Sequence, residues 1–263
     1  LLEILKVGHF DRVGICLDTA ILVLALVWEQ QEIDADVAAA DAMDERERRH
    51  PLVHRAAGVI AGLFLLYAAG VVAIRPLYLR WGSTPEERLA TLPGDDLAPN
   101  AHYRVDHAIT IHAPASAVWP WIVQLGQDRG GFYSYAWLER LIGDDVHNAD
   151  RIHPEWQQLQ AGDFVRATQP GYLGGKFGDP GWWVVDVIPD RALILRNWGA
   201  FVVEPLDATS SRLIVRTRGP GSPSVQGLLL GPFSVFVFEP AHFIMQREML
   251  RGIRDRAERV AGS

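Results

Sequence analysis

The side chain with the clearest chemical potential is His107, inside the stretch YRVDHAITIH at residues 103–112. Tyr103, Val105, His107, Ile109 and Ile111 alternate there with Arg104, Asp106, Ala108, Thr110 and His112. Such alternation puts the first set on the buried face of a strand. An imidazole on that face needs a hydrogen-bond partner. It can serve as a general base or as the polar contact that orients a ligand. It can also be a core histidine bonded to a backbone carbonyl, the more favoured of the two readings.

The other candidates are weaker. His147, Asp150 and His153 share one loop, VHNADRIH, but the spacing matches no zinc pattern and no cysteine lies near. Neither a metal nor a cofactor is expected. Asn148, Asp150 and Arg151 read instead as residues that tie the loop down. Glu139 could reach the mouth of a cavity but suits a solvated helix face. Arg166, Arg196, Arg216 and Arg218 fall on strand positions, where outward ones are surface charge and an inward one could meet an anion. The glycines of residues 171–181 lack the lysine and following helix of a phosphate loop. Tryptophan is abundant between residues 119 and 198, and large rigid rings suit the walls of an apolar pocket. The expected ligand-binding set is His107, Tyr133, Tyr135, Trp137, Trp183, Trp198, Phe243 and Met249.

Elements to position these residues can be read in order. A strand at 103–112 is stopped by Pro114. A short helix through Trp119 and Ile122 follows, with Pro120 placed in its first turn, and ends at Gly130-Gly131. The aromatic run GGFYSYAW leads into a second short helix, WLERLIG. Strands are expected at 163–167, 182–188, 192–198, 200–205 and 212–218, with short turns between the later ones, hence an antiparallel sheet. Residues 219–231 are rich in Gly, Pro and Ser and read as a gating loop, together with 131–135. A long helix from Pro240 to Val260 carries one stripe: Phe243, Gln246, Met249, Leu250, Ile253, Ala257 and Val260.

The front third is different. Residues 56–74, AAGVIAGLFLLYAAGVVAI, hold no charge and approach the thickness of a bilayer core. Tyr67, Tyr78 and Trp81 are candidate interfacial anchors. A second apolar run at 13–28 carries Asp18 and is either another span or a helix lying along the first. Arginines 46, 48, 49 and 55 outnumber 75 and 80, which favours an exterior C-terminal domain. Residues 82–101 read as a linker, with a capping box from Thr84 to Glu87. Domains are thus expected at 1–81 (membrane-associated), 82–101 (linker) and 102–263 (globular). The 263 residues carry a net charge of -7, which argues against nucleic acid as a partner. Cys16 is the only cysteine, so no intrachain disulfide can form. The chain begins with Leu1 and not Met, so its first residue is not read as a biological terminus.

The signature ITIHAPASAVWPWI, the helix pair after it, the strand meander and the closing helix EPAHFIMQREMLRGIRDRAERV resemble the START-like helix-grip superfamily (SRPBCC). That superfamily includes polyketide cyclases and lipid-transfer domains. WPWIVQLGQDRGGFYSYAWLER and HNADRIHPEW are similar to a membrane-anchored bacterial branch of it. The resemblance spans about 60% of the chain, from Tyr103 to Val260. It implies an α+β fold, an antiparallel sheet wrapped around a long C-terminal helix, preceded by one or two membrane helices. It implies a small hydrophobic or lipid-like ligand between sheet and helix, and residence in a bacterial inner membrane. No catalytic motif carries over. A cyclase or dehydratase using His107 with a carboxylate, and a structural or signalling module with a filled core, are the other functions considered.

Overall fold

The computed structural model describes residues 46–101, 103–141, 143–175, 179–219 and 231–262. Its elements are α1 (Arg46–Tyr78), α2 (Pro85–Leu89), β1 (Tyr103–Ile111), α3 (Ala115–Val123), α4 (Ala136–Leu141), β2 (Phe164–Arg166), β3 (Gly181–Ile188), β4 (Ala192–Leu195), β5 (Gly199–Pro205), β6 (Ser211–Gly219) and α5 (Glu239–Ala261). The expected second apolar helix at 13–28 and the greater part of the expected gating loop at 219–231 lie outside the described residues.

Six strands form one antiparallel sheet in the order β1-β6-β5-β4-β3-β2. The long β1–β6 pair runs from Tyr103 opposite Gly219 to Ile111 opposite Ser211. The period-two reading of β1 places His107, Ile109 and Ile111 on the inner face, and α5 packs there with α3. Trp121, Ile122, Leu213, Val215, Leu250 and Ile253 are fully buried between them. Burying each aliphatic side chain of this set contributes about 1.5–3 kcal/mol. This is the helix-grip arrangement: a meander of strands closing on one long C-terminal helix. Pro120 is the sixth residue of α3, not in its first turn as expected; it removes one bond of the ladder, and the helix stops at Val123.

The outer face of the sheet corrects a second expectation. Asp106 and Ala108, placed on the face opposite the buried one, are buried as well, because residues 82–100 lie across them. Leu92 packs there on Ala108, Ile194, Ala200, Val202 and Ile214. Arg216, left open between outward surface charge and an inward partner for an anion, is the staple. Its Nε donates to Asp106 at 2.5 Å, one terminal nitrogen to Asp95 at 2.7 Å, and the other to the Glu87 carbonyl at 2.6 Å. Arg212 pairs with Glu87 at 2.5 Å, while the Thr84–Glu87 capping box holds α2 as its spacing requires.

β1 would be a free sheet edge, but the end of α1 seals it. Asp106 and Ala108 donate their amides to the Leu79 and Trp81 carbonyls at 2.9 and 3.1 Å. Gly82 bridges His107 across the same edge, and a Cβ there would stand 2.0 Å from the Ala108 carbonyl oxygen. Only glycine lets the two backbones approach so closely.

Candidate functional site

The inner face carries its polar groups at one end, where α1, β1, β6 and α5 converge. His107 Nε2 lies 2.7 Å from the Tyr78 carbonyl. A carbonyl only accepts, so Nε2 carries the proton and Nδ1 presents a lone pair. That Nδ1 is buried and has no hydrogen-bond partner. Burial pushes the imidazole down to about 4, against the opposing pull of the Tyr78 carbonyl and the Gln246 side chain. His107 is therefore neutral at pH 7.

Aromatic rings surround it. Phe243 lies 5.6 Å away and Trp81 6.3 Å away, both edge-on. Tyr78 packs on Phe243 at 5.7 Å. Arg247 and Arg251 sit over the Trp81 ring at 5.6 and 6.0 Å. Gln246, also buried, reaches Thr217 Oγ1 through its Nε2 at 3.5 Å, the limit of a hydrogen bond. Its Oε1 has no partner. Two helical turns earlier, Glu239 is 2% exposed and receives two bonds from Arg75, at 2.7 and 2.8 Å, and one from Tyr78 at 3.0 Å.

A second aromatic group lines the opposite part of the inner face. Trp198 stacks on Phe201 at 4.7 Å, Trp182 meets Trp198 at 5.9 Å, and Phe132 meets Trp182 at 6.2 Å. Tyr133 is buried with φ +55° and lies edge-on to Trp121 at 5.8 Å. Asn148 holds it: the side-chain oxygen accepts from the Tyr133 amide and the side-chain nitrogen donates to the Ser134 carbonyl, both at 2.7 Å. α5 crosses this loop at Gly252, where a Cβ would stand 2.2 Å from the Tyr133 carbonyl oxygen.

Of the eight residues expected to bind a ligand, the structure brings His107 and Phe243 into contact. It places Met249 and Tyr133 in the same core and Trp198 in the aromatic wall. Three stand apart. Trp183 is 55% exposed and packs at 5.0 Å on Phe164, because its neighbour Trp182 takes the inward position. Trp137 is 57% exposed, and Tyr135 lies 6.2 Å from it, outside the core. His147 and His153 do not converge: His153 pairs with Glu155 at 3.0 Å and His147 lies 3.8 Å from Asp145. Glu139 is half-buried, and burial beside Asp144 raises its carboxyl to about 7. The sequence reading missed Gln246 and Thr217 as polar neighbours of His107, and Trp182 as the inward tryptophan. It also missed the Arg75–Glu239 pair, which no local pattern announces across 164 positions. Gln246 was legible as the polar member of the α5 stripe.

Two clefts open on the surface. One of about 370 Å3 lies where residues 94–101 pass the β4–β5 turn, and one of about 200 Å3 lies beside Arg129 and Trp156. Neither lies between sheet and α5, where, among the described residues, the side chains of the core pack together.

No family model matches the chain, and no curated protein matches it. Among solved structures, it is similar to a polyketide-cyclase-like protein of Corynebacterium glutamicum, with 16% identity and a TM-score of 0.33 over 57% of this chain and 88% of that one. It is similar also to the Zhui aromatase/cyclase of a Streptomyces species, with 16% identity and a TM-score of 0.33 over 60% of this chain and 94% of that one. Likeness at this level carries nothing about activity.

Proposed function

We propose that this chain is a membrane-anchored helix-grip domain that takes a lipid-like guest carrying a hydrogen-bond donor at its polar end. The observation that carries this reading is the pair of buried polar atoms His107 Nδ1 and Gln246 Oε1, neighbouring side chains that no hydrogen bond of good geometry satisfies, ringed by Phe243 and Trp81. A buried polar atom left unbonded costs about 1–3 kcal/mol. A hydroxyl, amine or protonated acid would satisfy either one, and a carboxylate would not. The anchor in this reading is His54–Tyr78, of mean hydropathy 2.3 over its most apolar window, only 6% of which is buried against the rest of the chain. The surrounding rings supply the apolar walls a hydrocarbon needs.

A second reading, a non-catalytic module with a filled core, is favoured by the close packing of the inner face. Acid-base catalysis is the least supported. His107 Nε2 is committed to a carbonyl, and the nearby Glu239 is already held by Arg75 and Tyr78.

Native mass spectrometry of the detergent-extracted full chain tests the first reading. The expected result is a co-purified neutral lipid bearing a free hydroxyl or amine, lost in His107→Phe. Protein free of any guest, with no uptake of a fluorescent fatty alcohol, would leave the filled-core module.

A further inference from the structure

The terminal helix does not begin at Glu239. Residues 231–261 are continuously helical, through a π-helical turn at Ser234–Phe238, and the first part of this helix lies alongside α1. Three contacts fix how. The Tyr67 hydroxyl donates to the Phe236 carbonyl, Arg75 and Tyr78 hold Glu239, and Tyr78 and Trp81 pack on Phe243. Both chains rise in the same direction, so the two helices are parallel. At about 1.5 Å per residue, the eight residues from Glu239 back to Gly231 descend about 12 Å along α1. That is a little less than half of an apolar core of about 30 Å.

The chemistry of the segment suits that depth. GPFSVFVFEPAHFIM, residues 231–245, has Glu239 as its only charged side chain, and that buried carboxylate accepts two hydrogen bonds from Arg75. A charge near hydrocarbon persists when paired in this way. The π-helical turn departs from the regular ladder, and a neighbouring hydroxyl meets its Phe236 carbonyl, as backbone groups in lipid require. Val237 and Ile244, 50% and 48% exposed, continue the exposed apolar surface of Leu63, Phe64, Leu66 and Ile74 on α1.

We infer that residues 231–239 enter the bilayer to a little less than half depth as a helix packed on α1, with 240–244 at the headgroup layer, and that lipid is what covers their exposed face. The end of the domain that holds His107 then sits at the headgroup layer and receives its guest directly from the membrane. This rests on the reading of His54–Tyr78 as the membrane span.

The test uses the full chain in phosphatidylcholine–phosphatidylglycerol vesicles, with Cys16→Ser as background. Single cysteines replace Leu66, Val237, Ile244 and Leu89, each carrying a bimane fluorophore, and lipids with doxyl groups at shallow and deep chain positions act as quenchers. Leu66→Cys is expected to be quenched by the deep doxyl, Val237→Cys by the shallow one, Ile244→Cys more weakly by the shallow one, and Leu89→Cys, on α2, by neither. Quenching of Leu66→Cys with Val237→Cys no better quenched than Leu89→Cys would overturn the half-depth helix and leave the span standing. An unquenched Leu66→Cys would remove the span and the inference together.

Discussion

Burial takes from His107 the freedom to titrate near neutrality, against the pull of its bond to the Tyr78 carbonyl. Its folded value is about 4 against an ordinary 6.5. Between those values the unfolded chain binds a proton that the folded chain refuses. Its contribution to stability is therefore full above pH 6.5, falls as the pH drops from 6.5 to 4, and levels off below. The loss is on the order of 3 kcal/mol for a group this buried. Glu139 works the other way: raised to about 7, it loses stability as pH rises from its ordinary 4.5 toward 7. The two windows overlap, so wild-type melts alone do not separate them. Urea unfolding of wild type and His107→Gln at pH 7 and pH 4.5 does. The glutamine keeps a donor for the Tyr78 carbonyl, and the variant is expected to lose less stability than wild type on acidification. An equal loss in both would show that His107 already carries a proton. At this scale the sequence was informative wherever a strict period applied. It put His107 inside because one residue in two of β1 faces in. It failed at Trp182 and Trp183, since adjacent residues face opposite ways and the bulge between Val184 and Asp186 obscures the phase of the strand.

Residues 82–100 are the element whose role was least legible. Proline, glycine and acidic residues describe a connection, and their composition says nothing of where the connection lies. What places it is Arg216, whose sequence position leaves open whether it faces solvent or the fold. A buried guanidinium with Asp106 and Asp95 as partners makes the segment part of the fold. Removing one partner of such a buried set costs about 3–5 kcal/mol. Arg216→Ala is expected to lose that much in urea unfolding and to expose the backbone of residues 84–97 to hydrogen exchange, with α5 still protected. Protection unchanged at 84–97 would mean that Leu92 and its apolar contacts hold the segment alone. The long elements were legible throughout: α5 from its stripe of Gln246, Met249, Leu250, Ile253 and Ala257, and β1 from its alternation. The helical turn that precedes α5 was not, because Gly231 and Pro232 there read as loop formers.

Across the whole molecule, α1 and the globular part share residues. Tyr78 supplies the carbonyl for His107, Leu79 and Trp81 close the edge of β1, and Arg75 closes on Glu239. A chain beginning after Trp81 is therefore expected to lose cooperative folding. A chain beginning near Ile74, which keeps these contacts, should retain a single sharp thermal transition in mild detergent. Equal melting behaviour of the two, followed by circular dichroism, would show the sheet edge to be dispensable.

The sealed edge of β1 also sets how far the protein can work. An anchored domain on a supple tether sweeps a hemisphere and can meet targets tens of ångströms from its membrane. Here the residues that leave α1, Leu79 and Trp81, are stitched to β1 by backbone bonds, so the end of the helix and the sheet edge are held together. If α1 is the membrane anchor proposed above, the domain rides it as the head rides a nail. A guest would be exchanged with the leaflet underfoot, and delivery across an aqueous gap to another membrane would need a separate carrier.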